Sequence, residues 1–350
     1  MQKKEASIDP TLSNTDKAYR KLFYSQHPEL LSLKESTDNN VLVLGPARSG
    51  TSWLSKVLSH ADNVRVFFNE PLFHIHPPLP FGKSTNQTPY FLRDDHSSAP
   101  YTRYFSKEHA LYCVYQSLLS PCFNGSKLLH EAERDIMQLN PQASGKILIK
   151  EVHALMASEA LVSSWKGPII MTTRNPVFAV DSLLHYRTPK AHMWRKEAQH
   201  ICEDSFLQRF FPDKSVVIKS YFKQHIDDGQ SRSNVIMSKV LTVAIINHML
   251  HTLAKENKGV YFIQYEDLCR SPEVNFTQIA KFCKLQMGST MKDFIRKSST
   301  TDLINDPTPY SLLRNSADML IRPLKFIKES ELKNINSMLK TCDLENLSNF

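Results

Sequence analysis

The sequence predicts an α/β fold, a parallel sheet flanked by helices on both faces, and three observations carry that expectation. Five short apolar runs, NVLVLG, VRVFFNE, KILIKE, GPIIMTTR and VYFIQYE, read as buried strands. Helical patterns separate them, and alternation of that kind joins parallel strands through crossover helices. The first run also ends in a distinctive way. VLVLGPARSGTSWL passes from four apolar residues into a glycine-bounded loop and then a helix, and a doubly wound sheet binds its ligands beyond the carboxyl ends of its strands.

The elements follow in chain order. KAYRKLFYSQHPELLSL has helical periodicity and belongs to an N-terminal helical extension over 1–39, packed outside the sheet. Residues 40–350 read as one large domain, without a repeat or a low-complexity tract. Two stretches break the strand–helix rhythm, 77–125 and 188–234, and long excursions after strands are expected to be lids or acceptor-binding insertions. VIMSKVLTVAIINHMLHTLA is the most apolar helical pattern, but Lys239, Asn247 and two histidines interrupt it, which predicts a core helix rather than a membrane span. A closing helix is expected at KESELKNINSMLKTC, with Ser330 capping its start.

Composition narrows the function classes only a little. With 41% apolar residues the chain can build a core, and 43 Lys+Arg against 35 Asp+Glu give a net charge of +8. That balance favours anionic ligands, nucleic acid or acidic surfaces without choosing among them, because no basic run stands out. The six cysteines form no CxxC pair and have no zinc-type spacing, so free buried thiols are expected. The first forty residues contain no apolar signal or anchor segment, which points to a soluble protein in a reducing, cytoplasmic compartment.

Gly45 to Gly50 has the GxxxxG spacing of a phosphate loop, in which a flexible backbone turns amides toward an anion at a helix N-terminus. A nucleotide triphosphatase would carry GK[ST] there, whereas Gly50 is followed by Thr51. The cation comes earlier, as Arg48, and Ser49, Thr51 and Ser52 crowd the helix start. The alternative is a plain strand-to-helix turn with a Ser or Thr cap. A second constellation decides between them: GPIIMTTRNPVFAVDS is a strand ending in Arg174, followed eight residues later by Ser182. An arginine stands where a magnesium-dependent enzyme often places an aspartate, so the site is built to receive negative charge directly and no metal is implied.

These pieces resemble the sulfotransferases that use 3'-phosphoadenosine 5'-phosphosulfate (PAPS). GPARSGTSWL is similar to their 5'-phosphosulfate loop, RNPVFAVDS to their 3'-phosphate element, and YEDLCRSPE with IAKFCKL to a later strand–helix segment, together covering roughly residues 40–285. The resemblance implies a P-loop-like sulfotransferase fold. It also implies that Arg48, Ser49, Gly50, Thr51 and Ser52 hold the 5'-phosphosulfate and that Arg174 and Ser182 hold the 3'-phosphate. Trp53 stands where the family often stacks a tryptophan on adenine, the alternative being ordinary core packing. Lys150, at the end of KILIKE, matches a strand lysine that contacts the transferring sulfuryl group; a surface lysine is the alternative. LLRNS places Arg314 in a short match to carbohydrate sulfotransferases, as a further donor contact.

FFNEPLFHI resembles the EPxWH stretch of carbohydrate sulfotransferases, which makes Glu70 the first choice of general base. Cytosolic members use a histidine two residues after the strand lysine; here that position is Val152, and His153 is displaced by one, onto the opposite face of an extended strand. Glu151 and His153 therefore remain as alternatives, and His74 is a candidate for the acceptor pocket. The expected reaction moves the sulfuryl group of PAPS to a hydroxyl or amine of a small-molecule, lipid or saccharide acceptor and releases 3'-phosphoadenosine 5'-phosphate (PAP). The competing classes are a P-loop kinase, opposed by Thr51 and Arg174, and a non-catalytic nucleotide-binding or nucleic-acid-binding protein, opposed by Lys150 and Glu70. Acceptor identity and oligomeric state are not written in the motifs.

Overall fold

The computed structural model describes residues 40–70, 137–139, 145–152, 155, 158–184, 201–202, 204–227, 231–300, 312, 315–321 and 323–345. The expected extension over 1–39 and the insertion at 77–125 lie outside these residues, as do His74, His153 and Arg314. Five strands appear where the apolar runs stand: β1 (Val41–Leu44), β2 (Val64–Asn69), β4 (Lys146–Glu151), β5 (Ile169–Thr173) and β6 (Val260–Gln264). They pair in parallel, β2 with β4, β4 with β1, β1 with β5 and β5 with β6. A further strand, β3 (Met137–Leu139), lies antiparallel against β2. The five strands form the expected parallel sheet, and β3 adds one antiparallel edge strand to give the order β3-β2-β4-β1-β5-β6. Three residues are too few to show a strand period, and β3 shows itself only in its pairing with β2.

Alternation along the strands sorts the core into two layers. Val41, Val43, Leu148 and Ile170 face α1 (Thr51–Ser59) and three further helices of the same layer. Leu42, Leu44, Ile147, Ile149, Ile169 and Met171 face the other layer. That layer includes α2 (Ser158–Ser164), α3 (Pro176–Leu184), α4 (Asp204–Phe210), α5 (Ser215–Asp227) and α6 (Arg232–Glu256). The first layer is completed by α7 (Tyr265–Arg270), α8 (Pro272–Phe282) and α9 (Ser289–Thr300), with α10 (Ser316–Ile321) packed against α7 and α9. Burying both faces explains why the strands read as continuous apolar runs rather than alternating ones.

Among the described residues α6 is the one helix long and apolar enough to cross a membrane, and 72% of its apolar window is buried within the protein. Ile236, Val240, Ala244 and Leu250 pack in the second core layer, as the interrupted pattern predicts. The described part of the 188–234 excursion is itself helical, and Leu207, Phe210, Ile218 and Phe222 of α4 and α5 are buried in that layer. It forms part of the cover of the sheet rather than a loop.

The closing helix, α11 (Glu329–Thr341), starts one residue before Ser330. The cap expected of Ser330 is instead supplied by Glu331, whose Oε2 accepts the Lys328 N–H at 2.9 Å. A carboxylate in the first turn offers a stronger acceptor than a hydroxyl. Ahead of this helix, Asp181 of α3 is 4% exposed and accepts N–H groups from Lys325, Phe326 and Ile327 at 2.7–3.2 Å, fastening the C-terminal segment to the helix that carries Ser182. Of the cysteines, Cys202, Cys269, Cys283 and Cys342 are free thiols, the last three buried. Burial pushes the Cys283 thiol up to about 12.

Candidate functional site

Four neighbouring strands, β2, β4, β1 and β5, end on the same edge of the sheet, and each delivers residues there. After β1 the loop from Gly45 to Gly50 closes on itself, with the Ser49 N–H and the Ser49 hydroxyl both donating to the Pro46 carbonyl, at 3.1 and 2.7 Å. Thr172 of β5 holds the loop from outside by donating its hydroxyl to the Ser49 carbonyl at 3.1 Å. Gly50 caps α1 in the left-handed region, at φ 85°, and a Cβ there would run into the Tyr265 ring, so only glycine fits. The first intrahelical bond is Leu54 N–H to the Gly50 carbonyl at 2.9 Å. The N–H groups of the preceding turn have no intrahelical acceptor, and the helix dipole adds to their attraction for an anion.

Arg48 also takes a positive φ, 73°. Its Nε donates to Ser182 Oγ at 3.0 Å, which joins the loop after β1 to the helix after β5. Arg174, immediately after β5, reinforces the join: its Nη1 donates to the Arg48 carbonyl at 3.3 Å. The Arg174 guanidinium lies 4.6 Å from the centre of the Tyr265 ring, a cation–π contact that fixes the plane of the group. Arg174 is 9% exposed, and its buried Nε has no hydrogen-bond partner. A charged donor left in that condition is costly to bury. Asn175 caps α3, its Oδ1 accepting the Val177 and Phe178 N–H groups at 2.9 and 3.3 Å, with Pro176 as the first helical residue.

The ends of β2 and β4 supply a second cationic centre. Lys150 shares its strand face with Leu148 and so points toward α1, where it is 2% exposed. Its ammonium donates to Ser52 Oγ at 2.9 Å, to Asn69 Oδ1 at 3.1 Å and to Glu70 Oε1. Asn69 is the direct register partner of Lys150. Strict alternation would send Glu70 to the other face, but its φ of 51° turns the chain and brings the carboxylate back to the lysine. Among the described residues two other non-glycine positions have positive φ, Lys284 and Asp343, and both follow helix C-caps, where that conformation is usual. Arg48 and Glu70 have no such reason, and strain of this kind is held where a site requires it. The Glu70 side chain keeps 27% of its surface open, so it can be reached from solvent.

Other expectations are corrected. Trp53 is 1% exposed; its indole N–H donates to Ser298 Oγ at 2.8 Å, and its ring meets Tyr265 and Phe276 edge-on. A ring closed off in this way offers no face to a base, so Trp53 is a core residue and not an adenine platform. Ser49 is fully buried, with its hydroxyl committed to the Pro46 carbonyl, so it shapes the loop rather than presenting a group to a ligand. Glu151 shares the face of Ile149, opposite Lys150, and its Oε1 accepts the Val152 N–H at 2.9 Å. Its position on the face away from Lys150 removes it as a base for a group bound beside that lysine.

Several residues of the site carried no expectation of their own. Asn69 supports Lys150, and Tyr265 lies between Gly50 and Arg174. Asn247 of α6 and Glu266 of α7 hold the turn after β5. Burial pushes the Glu266 carboxyl above its ordinary range, while its N–H donors and the Arg174 charge pull the other way. Asn247 had one signal, its position as an amide inside an otherwise apolar helix. Among the described residues no group of three or more His, Cys, Asp or Glu is assembled that could hold a metal ion.

No curated protein matches the chain. Among solved structures it is similar to the sulfotransferase STF9 from Mycobacterium avium, at 12% identity and a TM-score of 0.44, over 98% of this chain and 88% of that one. A sulfotransferase domain from the curacin biosynthetic pathway matches at 13% identity and a TM-score of 0.41, over 86% and 97% of the two chains. Mouse sulfotransferase SULT7A1, in complex with PAP, matches at 13% identity and a TM-score of 0.38, over 93% of each. The model of the sulfotransferase domain family matches residues 38–309. That span is well over half of the 350 residues and contains the loop after β1, both arginines and the lysine–glutamate centre, so the chain belongs to the sulfotransferase family, whose members transfer sulfuryl groups.

Proposed function

We propose that the protein moves the sulfuryl group of PAPS to a hydroxyl or amine of a small-molecule, lipid or saccharide acceptor, with Glu70 as general base, and releases PAP. The observation that supports this reading best is the bond from Arg48 Nε to Ser182 Oγ, which brings the loop after β1 against the helix after β5, the two elements that the reading assigns to one anion site. A donor with a phosphosulfate at one end and a separate phosphate at the other calls for such a two-ended site.

In this reading the amides of the first turn of α1 and Arg48 hold the 5'-phosphosulfate, and Arg174 with Ser182 holds the 3'-phosphate. Lys150 stands over the oxygens of the transferring group, its charge matching the charge that develops there. Glu70 takes the acceptor proton as the acceptor oxygen or nitrogen bonds to sulfur and the bond from sulfur to the phosphate oxygen breaks. The base, the cation and the loop are held by β-strand ends rather than by long loops, which keeps the reacting groups in line. The carboxylate after β2 resembles the base of carbohydrate sulfotransferases, which favours a saccharide among the acceptor classes.

The reading is tested by incubating the protein with labelled PAPS and a panel of hydroxyl-bearing and amine-bearing saccharides, lipids and metabolites, followed by mass spectrometry. A sulfated product formed together with stoichiometric PAP is the expected result. Phosphorylation of the same panel from ATP and magnesium, with no transfer from PAPS, would point to the kinase class instead.

A further inference from the structure

The turn after β5 contains a peptide group held at both of its polar atoms by buried side chains. The Arg174 carbonyl accepts from Asn247 Nδ2 at 2.7 Å, and the Asn175 N–H of the same peptide donates to Glu266 Oε1 at 3.1 Å. Asn247 is 2% exposed and Glu266 7%. The two grips come from opposite sides of the sheet, since α6 packs in one core layer and α7 in the other. Simple core filling does not account for them. Asn247 Oδ1 and Glu266 Oε2 are buried without hydrogen-bond partners, so each residue carries a desolvation cost that an apolar residue would avoid.

We infer that Asn247 and Glu266 are positioning residues that clamp the Arg174–Asn175 peptide and thereby set selectivity for a 3'-phosphate. The inference rests on the reading of Arg174 and Ser182 given above. Tilting this peptide changes ψ of Arg174 and φ of Asn175 together. On one side it redirects the Arg174 side chain, whose guanidinium is otherwise steered by Tyr265, the neighbour of Glu266, and by the Arg48 carbonyl. On the other side it disturbs the Asn175 cap of α3, the helix that presents Ser182. A single peptide plane thus aligns both groups proposed to meet the 3'-phosphate, and misplacing it weakens only ligands that carry that phosphate.

The test compares the Kd of PAP with that of AMP, which lacks the 3'-phosphate, by calorimetry well below the Tm of each variant. Asn247→Leu and the smaller Asn247→Ala are both expected to weaken PAP about tenfold and AMP by less than about twofold. Glu266→Ala is expected to do the same, and Glu266→Gln, which retains an acceptor for the Asn175 N–H, to restore the ratio to within about twofold of the parent. A merely structural role would lower Tm without changing the PAP-to-AMP ratio. Arg174→Ala serves as the control. If it collapses the ratio while the Asn247 variants leave it intact, the clamp is overturned and the 3'-phosphate reading stands. If Arg174→Ala itself leaves the ratio unchanged, that reading fails and takes the clamp with it.

Discussion

Glu70→Gln is expected to lower turnover by roughly a hundredfold to ten-thousandfold while leaving PAP affinity nearly unchanged. Glutamine keeps the size of the side chain and an oxygen for the Lys150 ammonium, so the support of the lysine survives. What it loses is the ability to take a proton. Asn69 and Ser52 continue to hold Lys150, and the loop after β1 is untouched. The loss should therefore appear in kcat for the acceptor identified by the product screen, with the donor Kd unmoved. Unchanged turnover would remove Glu70 as the base, and Glu151, which faces the other side of the sheet, could not take its place beside Lys150.

Lys150→Met is expected to reduce turnover by about a hundredfold to a thousandfold, the range for removing one preorganised electrostatic contact to a developing charge. Methionine fills the buried stem without a charge, and 2% exposure makes an apolar replacement tolerable at that position. PAP has lost the sulfuryl group that Lys150 is proposed to contact, so its affinity should change by less than about threefold. A variant that binds PAP normally and turns over normally would show that Lys150 is only a structural partner of Glu70. Loss of PAP binding in step with turnover would instead place the lysine on the donor phosphates.

The strands and the turn that leads from β1 into α1 were legible in the sequence because each is a local pattern. An apolar run bounded by glycine is readable without its neighbours, and so is an arginine eight residues ahead of a serine. The place of Lys150 at the end of β4 was readable in the same way, while its burial against α1 follows from the layer that Leu148 joins. Misreadings came where distant residues decide the outcome. Trp53 belongs to the core because Ser298 and Phe276, more than two hundred residues away, close around it. Ser49 turns inward because the loop needs its hydroxyl to reach Pro46. The face of Glu70 is set by one left-handed residue at a strand end, which period-two reasoning cannot anticipate. Asn247 and Glu266 show the same limit, since one peptide is gripped from elements 73 and 91 residues away.

The loop after β1 and the turn and helix after β5 are proposed to form a single site for a nucleotide bearing both a 5'- and a 3'-anion. The most direct test is calorimetric titration of the parent protein with PAP, AMP and ATP plus magnesium under matched salt. PAP is expected to bind without added metal and more tightly than AMP by at least about tenfold, reflecting its additional charged phosphate contacts. Equal affinity for PAP and AMP, or tight binding of ATP with magnesium alone, would contradict that proposal.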